Sequence, residues 1–233
     1  ARHNRRMTPS PQAPHPFDRL TPDVVVDALA AVGLMADGRL MALDSYENRV
    51  YLAHLERGTP LADVHPAVVL KFYRPGRWSS AQIAEEHAFA AELMAAEVPV
   101  VGPLTLDGRT LHEFDGYAFS VSPRRGGRAP ELDDPEALEA IGRFLARLHG
   151  VGATAPFAHR PAINAQTYGH APRDWLLAHD AVAPEVRSEW AELSENAIQI
   201  AAASASPTSA GGHFDSDISP IATLRLHGDC HPG

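Results

Sequence analysis

The sequence closes on Leu224-Arg-Leu-His-Gly-Asp-Cys-His-Pro-Gly233, and this stretch decides how the rest is read. Thr223 to Leu226 has the apolar and β-branched character of a short strand. Gly228 then permits a sharp turn, so Asp229 is presented at a strand end, where functional side chains concentrate. A carboxylate placed there suits a general base that takes a proton from an attacking hydroxyl group. The alternation of His227, Asp229 and His231 also fits three ligands on one face of an extended segment, the pattern of a zinc site in a hydrolase. Cys230 is a weaker candidate nucleophile, because its neighbour His231 points to the opposite face.

Composition bounds what surrounds that motif. With 233 residues, 45% hydrophobic and 21% charged, the chain has the make-up of a globular protein with one large or two small cores. Val24 to Leu34 is broken by Asp27 and Gly33, and no stretch approaches the roughly 20 apolar residues of a membrane span. A soluble, cytoplasmic protein without a membrane partner is therefore expected. The 29 acidic against 20 basic residues, a net charge of -9, argue against a broad nucleic-acid surface but allow a local basic pocket for an anion. A single cysteine, Cys230, excludes an internal disulfide framework and accords with a reducing compartment. Arg2, Arg5 and Arg6 are followed by the proline-rich Thr8 to Pro16 rather than by an apolar core. Residues 1–19 thus read as a disordered leader, with Met7 as a natural start.

Upstream of the motif the pattern divides in two. Thr21 as N-cap and Pro22 at the first position predict a helix that stops near Gly33. Leu43 to Leu55 and Ala67 to Tyr73 read as strands, and the Asp107-Gly108 and Asp115-Gly116 pairs punctuate Val100 to Val121 as hairpins. Ser79 to Glu97 is helical in spacing and composition. Beyond, Asp134-Pro-Glu136 starts a helix with Leu138, Ile141, Leu145 and Leu148 as its buried stripe, and Val186, Trp190, Leu193, Ala197 and Ile200 form a second stripe. Ala201 to Ser219 reads as a flexible loop. Residues 20–122 are thus a strand-rich lobe, joined through Ser122 to Arg128 to a helical region, residues 123–233, with a ligand cleft expected between them. No internal repeat is present.

One helix carries an anomaly. At 100° per residue, Glu86 falls about 60° from Ile83, inside the apolar arc shared with Ala90, Leu93 and Met94, whereas Glu85 and Glu92 face water. A buried carboxylate demands a cation. Lys71, centred in the strand Val68 to Tyr73 and sharing a face with Val69 and Tyr73, is the nearest candidate. Taken singly, each reads more readily as an ordinary charge, Lys71 as a solvated strand lysine and Glu86 as a helix-end carboxylate. Asp44-Ser-Tyr-Glu-Asn-Arg-Val-Tyr51 interrupts an apolar pattern with small and amide-bearing residues, as in a loop offering N–H groups to an anion, or in a plain hairpin turn.

Together and in this order, Ser45-Tyr-Glu-Asn-Arg-Val-Tyr51, Val69-Leu-Lys-Phe-Tyr-Arg-Pro75, Glu85-Glu-His87, Glu97-Val-Pro-Val100, Gly126-Gly-Arg128, His159-Arg-Pro161 and Leu224 to His231 resemble the aminoglycoside phosphotransferase and choline kinase superfamily. Within it they are most similar to bacterial serine/threonine protein kinases of the stress response. The resemblance runs from about Leu20 to Gly233 and implies an α+β, protein-kinase-like fold, with an antiparallel-sheet N-lobe and a helical C-lobe that is truncated here. It implies that Lys71 holds ATP phosphates and Glu86 orients it. Ser45 to Arg49 would cover the nucleotide, with Ser45 and Asn48 at the phosphates, and Phe119 and Val121 would lie in the hinge that grips adenine. Asp229 would be the catalytic base, braced by His227 and His231.

What the resemblance implies for activity is ATP- and Mg2+-dependent transfer to hydroxyl groups by a monomer, with a protein serine or threonine as acceptor. The rivals are a small-molecule kinase of the aminoglycoside, choline or homoserine type, and a non-catalytic nucleotide-binding pseudokinase. In this family the Mg2+ ligands are an Asn five residues after the catalytic Asp and an Asp on the next strand, both of which would lie beyond Gly233. The expectation is therefore an incomplete chain, deficient in catalysis as it stands.

Overall fold

The computed structural model describes residues 15–127, 129–204 and 223–228. They divide into two compact units, one running to Phe144 and one beginning at Leu145. The division falls inside a helix, whereas composition alone places the junction at Ser122 to Arg128.

The first unit is built on a five-stranded antiparallel sheet. Helix α1 (Pro22–Ala31) precedes β1 (Ala36–Leu43), β2 (Arg49–Leu55) and β3 (Ala67–Phe72); α2 (Ser80–Ala95) is followed by β4 (His112–Phe114) and β5 (Tyr117–Pro123). The spatial order is β1-β2-β3-β5-β4, so β5 enters between β3 and β4. Local chemistry explains the boundaries. The Thr21 hydroxyl accepts from the Val24 N–H to start α1, and Ser79 with Gln82 forms a reciprocal capping box at the start of α2. In both Asp-Gly turns the two residues have positive φ, Asp107 48° with Gly108 74° and Asp115 47° with Gly116 80°. That geometry matches the right-handed twist of the flanking strands, and Phe114 pairs with Tyr117 across the second turn.

Along β3, Val68, Leu70 and Phe72 are wholly buried while Val69 and Lys71 are partly exposed, the alternation of a sheet with two unlike faces. The buried face packs with Val25, Ala28 and Leu29 of α1 and with Phe119 and Val121 of β5. Phe119 stacks on Phe72 at 5.3 Å between ring centroids. Each large side chain so buried contributes about 1.5–3 kcal/mol.

Two expectations are corrected in this unit. Residues 15–19 are not leader. Phe17 is 7% exposed in the core, stacked on Tyr117, whose hydroxyl donates to the Pro16 carbonyl, and Arg19 pairs with Asp115 at 2.6 Å. Strand β1 begins at Ala36, upstream of Leu43, because Asp37, Gly38 and Arg39 are poor strand formers that hid it. There the register shifts between Ala36 and Leu40, and the Asp37 carboxylate clamps the Arg39 guanidinium.

The second unit takes in the end of α3 (Pro135–Gly152), a π-helical turn at Ala165–His170 that runs into α4 (Ala171–Ala178), and α5 (Arg187–Ser204). Of the stripe expected on α3, Leu148 is buried while Leu138 is 50% exposed. On α5 the expected stripe is turned outward: Leu193 and Ile200 are 60% and 68% exposed. The packed face is instead Ala191, Ser194 and Ile198. Arg173 of α4 donates to the Ser194 hydroxyl and the Ala191 carbonyl, and Gly169 lets Ile198 approach so closely that a Cβ would lie 2.9 Å from it. Polar bonds and a glycine contact fix the helix rotation here. Ala201 to Ser204, expected in a loop, complete α5.

Thr223 to Leu226, expected as a strand, pairs with no sheet among the described residues. The Arg225 N–H donates instead to the Gly152 carbonyl at 3.2 Å. The Arg225 side chain is buried, donating to the Val151 carbonyl and the Thr154 hydroxyl at 3.0 and 3.1 Å, with its guanidinium 5.7 Å from the Phe157 ring centre. Gly228 has a φ of 81°, the backbone freedom expected at that turn.

Candidate functional site

Strand β3 and helix α2 bring the first predicted pair together. Lys71 Nζ lies 3.3 Å from Glu86 Oε1. The side chains are 36% and 40% exposed, so Glu86 is a half-buried group at the edge of the apolar arc and not the fully buried carboxylate that the helical wheel suggests. Lys71 is also 4.8 Å from the centre of the Tyr73 ring, a cation–π contact that fixes the ammonium from a second side. A held but accessible cation fits an anionic group such as a phosphate.

Behind this pair runs a buried polar chain that sequence reasoning missed. The Tyr73 hydroxyl is 2.7 Å from His87 Nε2 and 3.2 Å from Ser120 Oγ, and His87 Nδ1 is 2.9 Å from Thr110 Oγ1. Burial, the Lys71 charge and the charge of His112 push the His87 pKa down to about 4. The imidazole is neutral at ordinary pH, donating from one nitrogen and accepting at the other. The available signal was its place one helical turn after Ile83 on the apolar face, together with Tyr73 on the same strand face as Lys71.

The loop between β1 and β2 is fastened rather than open. The Ser45 hydroxyl donates to the Asn48 carbonyl at 3.1 Å, and the Asn48 amide oxygen accepts from the Arg74 N–H at 3.2 Å. Both residues expected at the phosphates thus commit oxygens to bracing the loop. Glu47 joins it to the β3–α2 connection by accepting from Arg77 Nε at 3.1 Å and Trp78 Nε1 at 3.0 Å. Burial raises the Glu47 pKa, but the hydrogen bonds from Arg77 and Trp78 outweigh it and hold the carboxyl below the usual range.

Phe119 and Val121, expected in the adenine hinge, lie on β5. Phe119 and Val121 are fully buried core residues, paired across the ladder with Phe72 and Leu70, and the Val121 carbonyl accepts from the Leu104 N–H at 2.7 Å. Their alternation with Ser120 puts both side chains on the core face of the sheet. The predicted base Asp229 lies outside the described residues, as do Cys230 and the bracing residue His231; His227 is described and exposed.

A model of the phosphotransferase enzyme family matches residues 40–233. The chain belongs to this family. Two of the curated relatives it is similar to are a serine/threonine protein kinase, RdoA, of Salmonella typhimurium, and stress response kinase A of Escherichia coli K12. Each is 41% identical over 217 residues, which is 93% of this chain. The chain spans 60% of the length of either relative. In three dimensions it resembles amicoumacin kinase hAmiN, solved in complex with AMP-PNP, Ca2+ and Ami. The TM-score is 0.57 at 18% identity, covering 77% of this chain and 53% of that one, a likeness of fold. The antiparallel sheet with its helices accords with the protein-kinase-like fold expected for a phosphotransferase. No described helix is long and apolar enough to cross a membrane.

Proposed function

We propose that the protein to which this chain belongs is an ATP-dependent kinase that phosphorylates serine or threonine hydroxyls of proteins in the cytoplasm during the stress response. The observation that carries the reading is the Lys71–Glu86 pair, 3.3 Å apart on a strand and helix of a phosphotransferase chain. Its support for a protein acceptor is the 41% identity to a serine/threonine protein kinase.

In this reading Lys71 neutralises phosphate charge, Glu86 and the Tyr73 ring hold the ammonium in place, and Asp229 takes the proton of the acceptor hydroxyl. The β1–β2 loop, braced by Ser45, Glu47 and Asn48, covers the nucleotide as a preformed surface. The adenine edge belongs to the backbone at the end of β5, which closes at Pro123. Mg2+ accompanies the nucleotide as its counter-ion.

Binding of ATP with Mg2+ by wild type and Lys71→Ala, followed by thermal shift, tests the cleft. Transfer of radiolabelled phosphate by the full-length protein and its Asp229→Asn variant tests the base. Unchanged ATP affinity in Lys71→Ala would remove Lys71 from the site, and unchanged transfer in Asp229→Asn would remove the base. Label appearing on a small hydroxyl compound and not on protein would reassign the acceptor.

A further inference from the structure

Among the described residues, two contacts from β3 and the residue after it to α2 are unlike in kind. Lys71 to Glu86 joins two long, half-exposed side chains, an interaction that water and salt weaken. Tyr73 to His87 is a buried hydrogen bond of 2.7 Å between two stiff rings, extended to Ser120 on β5 and to Thr110. The first can break and reform without moving the backbone. The second cannot, because the Tyr73 hydroxyl, His87 and the Ser120 hydroxyl are buried and would be left unsatisfied if the helix turned or slid. Since residues 86 and 87 are consecutive on α2, fixing His87 fixes the direction in which Glu86 leaves the helix. Tyr73 acts on Lys71 as well, through its ring.

We propose that Tyr73 and His87 are positioning residues: their buried hydrogen bond sets the rotation of α2, and so holds Glu86 and Lys71 in the geometry that receives nucleotide phosphates. This rests on the nucleotide reading above. Neither residue touches the phosphates. Their effect is confined to the phosphate end of the ligand and leaves the nucleoside end alone.

The experiment compares ATP with adenosine, which lacks phosphates, by calorimetric titration of the full-length wild type, Tyr73→Phe, His87→Asn and His87→Gln, with Lys71→Ala as a control. Gln places its amide near the Nε2 position and can keep the bond to Tyr73; Asn reaches only the Nδ1 position. Melting curves and far-UV dichroism identify the folded variants. Tyr73→Phe and His87→Asn should weaken ATP binding about ten-fold with adenosine binding unchanged, and His87→Gln should stay within about three-fold of wild type. A residue that merely stabilises the fold would lower the binding-competent fraction for both ligands alike.

The proposal is overturned if folded Tyr73→Phe and His87→Asn bind ATP as wild type does. It is also overturned if they lose ATP and adenosine equally, or if Gln is no better than Asn. Should Tyr73→Phe fail to fold, the Gln and Asn pair decides alone. If instead wild type binds no ATP, or Lys71→Ala binds it normally, the nucleotide reading falls and this inference with it.

Discussion

Lys71 Nζ meets Glu86 Oε1 at 3.3 Å while more than a third of each side chain remains open to water. A pair so exposed stabilises a fold by about 0–1 kcal/mol at most. It spans 15 residues, across a strand and a capped helix, and in the proposed reading it serves nucleotide binding rather than stability. Glu86→Gln should therefore shift unfolding by less than about 1 kcal/mol in urea titration while ATP affinity falls at least about ten-fold. A loss of stability as large as the loss of affinity would make the pair structural.

Glu47 should behave in the opposite way. Glu47→Ala removes the acceptor for Arg77 and Trp78, loosening the β1–β2 loop at a cost of about 0.5–1.5 kcal/mol, with a red shift of Trp78 emission as the indole N–H meets water. The sign with pH follows from its depressed pKa. The contribution is fully present above the ordinary carboxyl value of 4.5 and is lost as pH falls through the lower native one. Urea midpoints of wild type and Glu47→Ala should therefore converge on acidification.

For His87 the native pKa of about 4 lies below the ordinary 6.5. Between those values the unfolded chain binds more protons, so stability falls as pH falls from 6.5 towards 4, by at most about 1.4 kcal/mol per pH unit, and less where solvent reaches the ring. The His87→Gln variant should show a flatter stability profile across that window. Equal slopes would mean that the imidazole is not held neutral.

Phe17 gives a test at the start of the described chain. Buried, stacked on Tyr117 and lying under the Arg49 guanidinium at 5.0 Å, it is core despite its proline-rich surroundings. Phe17→Ala should destabilise by about 3–5 kcal/mol, read from chemical denaturation. A truncation that removes it should cost at least as much.

Gly152 is the counterpart in the second unit. A Cβ there would sit 2.3 Å from the Arg225 carbonyl oxygen. Gly152→Ala should force the two backbones apart, costing about 1–3 kcal/mol, and should speed amide exchange at Arg225, whose N–H bonds to Gly152. Unchanged exchange would show that the Gly152–Arg225 contact does not form.

Much of the first unit was legible because its signals are local. Thr21 and Ser79 cap helices, two Asp-Gly pairs demand positive φ, and the alternation around Lys71 declares a strand face. Features set by tertiary packing were not. Asp37-Gly38-Arg39 is carried within β1 as an irregularity between the paired residues Ala36 and Leu40, against its own propensity. The rotation of α5 was misjudged because a glycine at 169 and an arginine at 173 select its packed face. At the site, the Lys71–Glu86 pairing could be anticipated from the wheel, but the bonds of Ser45 within its own loop and of Asn48 to Arg74 could not. Side-chain bonds leave no periodicity to read. The burial of Phe119 and Val121 was legible as well, since their alternation with Ser120 marks the core face of the sheet.

The path of β5 has a consequence for how the molecule comes together. Because β5 inserts between β3 and β4, contacts such as Tyr73 to Ser120 link residues 47 apart, and α2 lies within the segment they enclose. Closing that long loop is entropically unfavourable until the β3–β5 ladder and its aromatic stack repay it. The helix carrying Glu86 lies within the loop that this pairing closes, so whatever unzips β5 from β3 also releases the segment that holds Glu86 against Lys71.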